Sequence, residues 1–401
     1  MKHVIFISFY QQLIPRNELM ARTLKERGWR VSVITWNRGH RRAAPGIVSD
    51  GVDAAVAIDL YAAAGTARLL LKMPALYRAM LRAASGLGPA DVTVLTHFFL
   101  LPLAWRLPPA AGLRVYDASE FFCLDIADYF GPAARLARPG VRALERLLLR
   151  RVVATLVTDS RDGWFARFYE AMGQTVHATF NVPSLADDPP ADEASAGAAL
   201  YPGRRVVAYV GGFKPAKGVL TTLRAAAEVR KHAPDVLFLF IGTWQRGRAE
   251  IERVVADLGL RGHVRFQDPM PYRDMLAHLR CARVGVALLQ GRRNELAGAG
   301  GSRKIFSYMQ AGLPMVASRT GEVCTIVEQA GCGTLVDVDS PGQIVEALVR
   351  YLTDRDLAQR HGAAGRAAFA NRYNWQHESR GFVEFIERLG ERPPAAQARL
   401  A

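Results

Sequence analysis

Cysteine is scarce in this 401-residue chain. Cys123, Cys281, Cys324 and Cys332 are the four, and none has metal-type spacing. That excludes a disulfide scaffold and points to reduced thiols in a cytoplasmic setting. No apolar run reaches the roughly 18 residues of a spanning helix. The opening Met-Lys-His-Val-Ile-Phe-Ile-Ser is broken too soon for a signal peptide and reads as a buried strand. The nine histidines show no ligand-type spacing, and neither Ser119 nor Ser160 sits in a nucleophile elbow. A Walker loop, a dinucleotide fingerprint and internal repeats are all absent. Asp337-Val-Asp339 has the form of a metal-binding pair but lies late, at a strand end, and no metal is expected there. Acids are the scarcer charge, 37 against 52 Lys and Arg, giving a formal net charge of +15. Such a chain attracts anionic partners. The cations are dispersed, without a basic run or interleaved aromatics, so nucleic acid is not the expected partner.

Half of the residues are hydrophobic, enough for two cores, and the length suits two domains. Short β-like runs alternate with amphipathic helical runs. The strand-like runs are 3–7, 31–34, 92–96, 114–116 and 154–158, then 206–210, 236–241, 264–266, 284–288, 315–317 and 334–336. This alternation predicts α/β architecture, with parallel sheets covered on both faces. A polar, Pro-rich stretch containing Asp187-Asp-Pro-Pro-Ala-Asp-Glu reads as a linker. The expected organisation is a Rossmann-like domain over 1–182, a linker over 183–204 and a second Rossmann-like domain over 205–375. Residues 376–401 then give a C-terminal helix that can cross back to the first domain, and a disordered tail. Two doubly wound domains facing a cleft would bind ligands at the carboxyl ends of their strands.

Two segments carry phosphate chemistry. In the first, the strand Val206-Val-Ala-Tyr-Val runs straight into Gly211-Gly212, a loop with Lys214 and Lys217, and a helix starting near Gly218. Glycines permit close backbone approach, and lysines meet phosphate oxygens as point charges. In the second, Gly298, Gly300 and Gly301 precede Ser302, expected to cap a helix that Gly312 and Pro314 stop. Lys304 adds a full charge to the partial positive charge of that helix start. Lys304, Ser307 and Tyr308 share one face; Tyr308 reads as a packing residue.

Together these segments resemble the retaining nucleotide-sugar glycosyltransferases of family 4, which have the GT-B fold. Tyr209-Val-Gly-Gly-Phe-Lys-Pro-Ala-Lys-Gly218 is similar to that family's donor-phosphate loop. Ser302-Arg-Lys-Ile-Phe-Ser-Tyr-Met-Gln-Ala-Gly-Leu-Pro-Met-Val316 is similar to its C-terminal signature, and Val115-Tyr-Asp-Ala-Ser-Glu120 to its Tyr-Asp-Ala-His-Glu motif. Four positions depart from the pattern. Gly212 replaces an arginine, Ser307 and Ala299 replace glutamates, and Ser119 replaces a histidine.

The resemblance implies transfer of a sugar from a nucleotide diphosphate sugar to an acceptor hydroxyl, with retention and no metal or other cofactor. It also implies a setting in bacterial surface polysaccharide or glycolipid synthesis. The donor would lie on Gly211, Gly212, Lys214, Lys217, Gly300, Gly301, Ser302, Lys304 and Ser307, its base near Met270. Asp117, Ser119 and Glu120, after a strand end, are the candidate catalytic residues; helix capping is the competing reading for the two carboxylates. Arg16 is the candidate for an acidic acceptor group, against a solvated first-turn arginine. The departures leave room for a catalytically impaired homologue, and the fold for a sugar-nucleotide epimerase. Residues 68–82 join Leu, Met and Tyr with four cations and no acid. That is the make-up of an interfacial helix at the inner leaflet, or of a domain helix packed on the core. Arg146, Arg150 and Arg151 are read as adding to the same surface.

Overall fold

Every side chain of His3–Ser8 (β1) is buried, as expected of an inner strand of a parallel sheet. The computed structural model describes residues 1–39, 51–62, 68–188, 200–213, 218–244, 247–289 and 302–390. The chain divides into two units. One is Met1–Thr179 with, among the described residues, 378–390; the other is Phe180–His377.

In the first unit β1 is followed by α1 (Pro15–Glu26), β2 (Arg30–Asn37), β3 (Ala54–Asp59), α2 (Arg68–Gly86) and β4 (Val92–Thr96). Then come β5 (Leu113–Ala118), α3 (Phe122–Phe130), α4 (Arg138–Leu148), β6 (Ala154–Thr158), α5 (Trp164–Glu170) and β7 (Val176–Thr179). The seven strands are parallel in the order β3-β2-β1-β4-β5-β6-β7. Strands β3 and β7 are additions to the sequence reading. Both lie at sheet edges, where half-exposed residues weaken the hydrophobic pattern; β3 alternates between half-buried and exposed positions. Helix α2 settles as a core-packed helix. Leu69, Met73, Leu76, Met80 and Ala84, spaced by three or four, are all buried, so this stripe is not available to a membrane surface.

The second unit begins with β8 (Arg205–Val210), α6 (Val219–His232), β9 (Val236–Ile241), α7 (Arg248–Asp257) and β10 (Val264–Gln267). It continues through α8 (Tyr272–Arg280), β11 (Ala282–Ala287), α9 (Arg303–Gln310), β12 (Met315–Ser318) and α10 (Gly321–Ala330). It closes with β13 (Gly333–Val336), α11 (Pro341–Thr353), α12 (Arg355–Asn371) and the start of α13 (Trp375–Gly390). Its six parallel strands run β10-β9-β8-β11-β12-β13. The expected linker at 183–204 is corrected at its start. Ser184 caps a 3-10 turn, Leu185–Asp187, in a reciprocal capping box. Gln376 donates to the Ser184 hydroxyl at 2.7 Å, and Asp188 accepts from Arg366 at 2.5 Å and Arg280 at 3.3 Å. These polar bonds make 183–188 part of the second unit; 189–199 and the tail at 391–401 lie outside the described residues.

Three buried groups set the first unit's response to pH. Burial, reinforced by Arg38, pushes His97 down to about 3. Burial, reinforced by Arg16, Arg388 and Arg161, pushes His177, stacked on Phe385 at 4.8 Å, down to about 4. Burial pushes Glu145 up to about 7 against the hydrogen bond from Tyr169 and the charge of Arg142. The histidines contribute stability that is present above pH 6.5 and lost as pH falls through their folded values; Glu145 contributes stability lost as pH rises toward 7. Between pH 6.5 and 5 each histidine costs about 2 kcal/mol, and Glu145 returns a similar amount. His177→Phe should therefore gain about 2 kcal/mol on wild type at pH 5 relative to pH 7. Glu145→Gln should become acid-labile over the same interval. Urea titrations at the two pH values check both signs.

Candidate functional site

In doubly wound sheets ligands gather at the carboxyl ends of the strands flanking the point where strand order reverses. In the second unit those strands are β8 and β11. Helix α9 is fixed there by Tyr308. Its ring covers Gly285 on β11, where an added Cβ would stand 2.7 Å from the ring. Its hydroxyl accepts from the Val210 N–H at 3.2 Å and reaches the Val286 carbonyl at 3.0 Å and the Ala208 carbonyl at 3.2 Å. One buried phenol thus ties α9 to both strands, which bears out its reading as a packing residue.

That anchorage places Lys304 at the end of β8. Its ammonium lies 3.9 Å from the Tyr209 ring centroid. A Cβ on Gly211 would come within 3.6 Å of it. The side chain is 7 % exposed. A full positive charge and the first turn of α9 therefore converge on the backbone leaving β8, an arrangement suited to a diphosphate. Gly218, at φ +81° and with a hypothetical Cβ 2.0 Å from the Leu288 carbonyl oxygen, can only be glycine.

The other expected donor residues divide. Gly212 follows Gly211 out of β8. Ser302 is at the N-cap of α9, but its side chain makes no cap hydrogen bond, contrary to expectation. Ser307 is also corrected: it is 2 % exposed, with its hydroxyl 3.0 Å from the Tyr272 hydroxyl and donating to the Arg303 carbonyl at 3.2 Å. It is covered within the unit, because Tyr272 of α8 packs over it. Met270 is half-buried between β10 and α8. Lys214, Lys217, Gly300 and Gly301 lie outside the described residues.

In the first unit the strand order reverses between β1 and β4, and the structure rearranges the sequence candidates. Asp117, at 0 % exposure, accepts from Arg16 Nη2 and, at 2.6 Å, from Asn17 Nδ2. Arg16 is itself 1 % exposed and also donates to Thr179 at 3.3 Å. Neither is presented to an acceptor. The pair ties α1 to β5, because two opposite charges in a dry interior neutralise each other. Ser119 is half-buried and Glu120 exposed, and the N-cap position of α3 falls on Phe121.

His97 was not among the sequence candidates. It follows β4 with φ +91°, the one non-glycine residue of positive φ among the described residues. Its ring stacks on Phe9 at 4.5 Å and Phe99 at 5.3 Å, with Phe122 edge-on at 5.9 Å. Its Nε2 is 3.8 Å from the Glu120 carboxylate. Arg38 lies over the rings of Phe9 and Trp36 at 5.0 and 5.2 Å. A strained, buried imidazole reaching an exposed carboxylate is an arrangement that functional sites retain. Its only sequence signal is the polar residue ending the β4 run; the backbone angle has none.

Residues 204–354 match the family described as Glycosyl transferases group 1. The chain is 29% identical over 260 residues to the GDP-mannose-dependent alpha-(1-6)-phosphatidylinositol monomannoside mannosyltransferase of Mycolicibacterium smegmatis, covering 63% of this chain and 67% of that protein. It is 31% identical over 205 residues to the D-inositol 3-phosphate glycosyltransferase of Acidothermus cellulolyticus, covering 49% of this chain and 44% of that protein. The fold matches that of sucrose-phosphate synthase from Thermosynechococcus elongatus with a TM-score of 0.76, at 18% identity, over 97% of this chain and 99% of that one. The matched stretch holds both β8 with its glycine exit and α9 with Lys304, so the similarity to the group 1 glycosyltransferases falls on the candidate site, and the two units have the paired Rossmann-like domains of a GT-B fold.

Proposed function

We propose that this protein transfers a sugar, with retention, from a nucleotide diphosphate sugar to a hydroxyl of a carbohydrate or lipid-linked acceptor in bacterial glycolipid or surface polysaccharide synthesis. The observation that carries this reading is the buried Lys304 ammonium at the first turn of α9, against the backbone leaving β8. Negative charge builds on the leaving diphosphate as the glycosidic bond breaks. A preorganised ammonium and helix N-terminus stabilise that charge without reorganising, so they lower the barrier. The second unit holds the donor, and its own cationic groups supply the charge that the diphosphate needs. In the first unit Glu120, beside His97, orients the acceptor hydroxyl or takes its proton; Arg38 offers a cation to an acidic acceptor group. The GDP-mannose and phosphatidylinositol named for the mycobacterial relative make a glycolipid acceptor the first to try. A lipid-linked acceptor requires peripheral association with the inner leaflet, and no helix among the described residues is long and apolar enough to cross a membrane.

The test is release of nucleoside diphosphate from UDP-, GDP-, ADP- and dTDP-sugars with and without a bacterial lipid extract. Acceptor-dependent release from one donor class supports the proposal; release from none, with folded protein, overturns it. Glu120→Gln should lower turnover about tenfold, the worth of one hydrogen bond to a charged group, without changing nucleotide affinity.

A further inference from the structure

Residues 131–151 contain six arginines and a single acid, Glu145. That acid is turned inward at 1 % exposure, where it accepts from the Tyr169 hydroxyl at 2.7 Å. The outer face of α4 is left cationic and apolar. Arg142 and Arg146, four apart, lie exposed on one flank; Leu144 and Leu147, three apart, lie on the other at 46 % and 44 % exposure. Leu136, just before the helix, is 88 % exposed. At the other end Trp105 donates its indole N–H to the Leu148 carbonyl at 3.1 Å, with the Arg151 guanidinium 5.0 Å over its ring. Beside that end opens a groove of about 480 Å³ whose lining includes Arg146, Arg150, Val153, Met172 and Gln174 and no acid.

We infer that this face of α4 docks on an anionic lipid bilayer. Charge complementarity selects that occupant. Arginines at the headgroup level meet lipid phosphates, while leucines and tryptophan enter the interface and arginine stems lie along them. The groove offers Arg146 and Arg150 to a headgroup phosphate. A second copy of the chain would bring like charges face to face, which disfavours pairing through this surface. The arrangement also differs from the helix that the sequence suggested: α2 buries Leu69, Met73, Leu76 and Met80 and exposes Leu70 and Leu71 at its start, whereas α4 buries its one acid and exposes Leu144 and Leu147. The inference rests on the membrane-peripheral reading above and names the surface responsible.

The experiment is sedimentation of the full chain with vesicles of phosphatidylcholine alone and of phosphatidylcholine mixed with phosphatidylglycerol, at low and high salt. Three proteins are compared: wild type, Arg142→Ala/Arg146→Ala/Arg150→Ala, and Leu144→Ser/Leu147→Ser. Nucleotide binding by calorimetry, run alongside, shows that each variant is folded and reports separately on the donor site. Wild type should pellet with the mixed vesicles at low salt. The triple arginine variant should bind about 100-fold more weakly, at about fivefold per cation. The leucine variant should lose the binding that survives high salt. No pelleting with anionic vesicles overturns both the surface and the membrane-peripheral reading. Pelleting that neither variant alters overturns the surface alone. Retention of a DNA oligonucleotide by the arginine face, without vesicle binding, also overturns it.

Discussion

Lys304→Ala is expected to weaken binding of the donor's nucleoside diphosphate about 100-fold, the worth of one or two charge-assisted hydrogen bonds to phosphate. The ammonium is held in a dry setting, over Tyr209 and against Gly211, so its attraction for a phosphate is little screened. A melting curve taken alongside shows that the variant is folded, so that the loss is read at the phosphate. Lys304→Arg should also bind poorly, because a planar guanidinium is larger than an ammonium and the space between the Tyr209 ring and Gly211 is filled. Calorimetry with UDP, GDP, ADP and dTDP measures all three proteins and identifies the base preference. Equal affinities in wild type and Lys304→Ala would remove this residue from the donor site.

Arg16→Met should cost the first unit about 3–5 kcal/mol, since it leaves the fully buried Asp117 carboxylate without its cation. Asn17 would still donate to Asp117, but one neutral hydrogen bond does not compensate a charge in the interior. Asp117→Asn should cost less, because Asn17 and Arg16 are left beside a neutral polar group. Arg16→Met/Asp117→Leu should recover much of the loss, as apolar replacement of a buried ion pair often does. Urea denaturation, followed by a probe in the first unit, gives the cycle. If Arg16→Met instead left stability intact and raised only the acceptor KM, Arg16 would be an acceptor ligand after all.

Two of the buried charged groups differ in what packs against them, and the sequence could not separate them. Asp117 and Lys304 each sit near a strand end, in a motif of similar form. One has an arginine from α1 against it, a partner 101 positions away in sequence. Lys304 packs over the Tyr209 ring and against Gly211 at the exit of β8. Which it would be depends on how α1 and α9 dock, and neither docking is a property of local sequence. Ser307 shows the same limit. Helical spacing assigned it correctly to a face shared with Lys304, but Tyr272 of α8 closes over it. His97 escaped notice because its signal is a backbone angle and a set of rings, Phe9 after β1, Phe99 after β4 and Phe122 of α3.

Sequence alone determined the α/β class, the two Rossmann-like units, the strand–glycine exit at Gly211, α9 with Lys304 in its first turn, and the resemblance to the family that residues 204–354 match. These rest on local matters: hydrophobic period, glycine backbone freedom, helix-stop residues and motif order. Tertiary structure alone decided that Arg16 and Asp117 neutralise each other, that Ser307 faces inward, that α2 packs its apolar stripe inside, and that α4 leaves its leucines and arginines outside. Burial is set by what packs against a side chain, and in parallel sheets the packing partners come from strands and helices far apart in the chain.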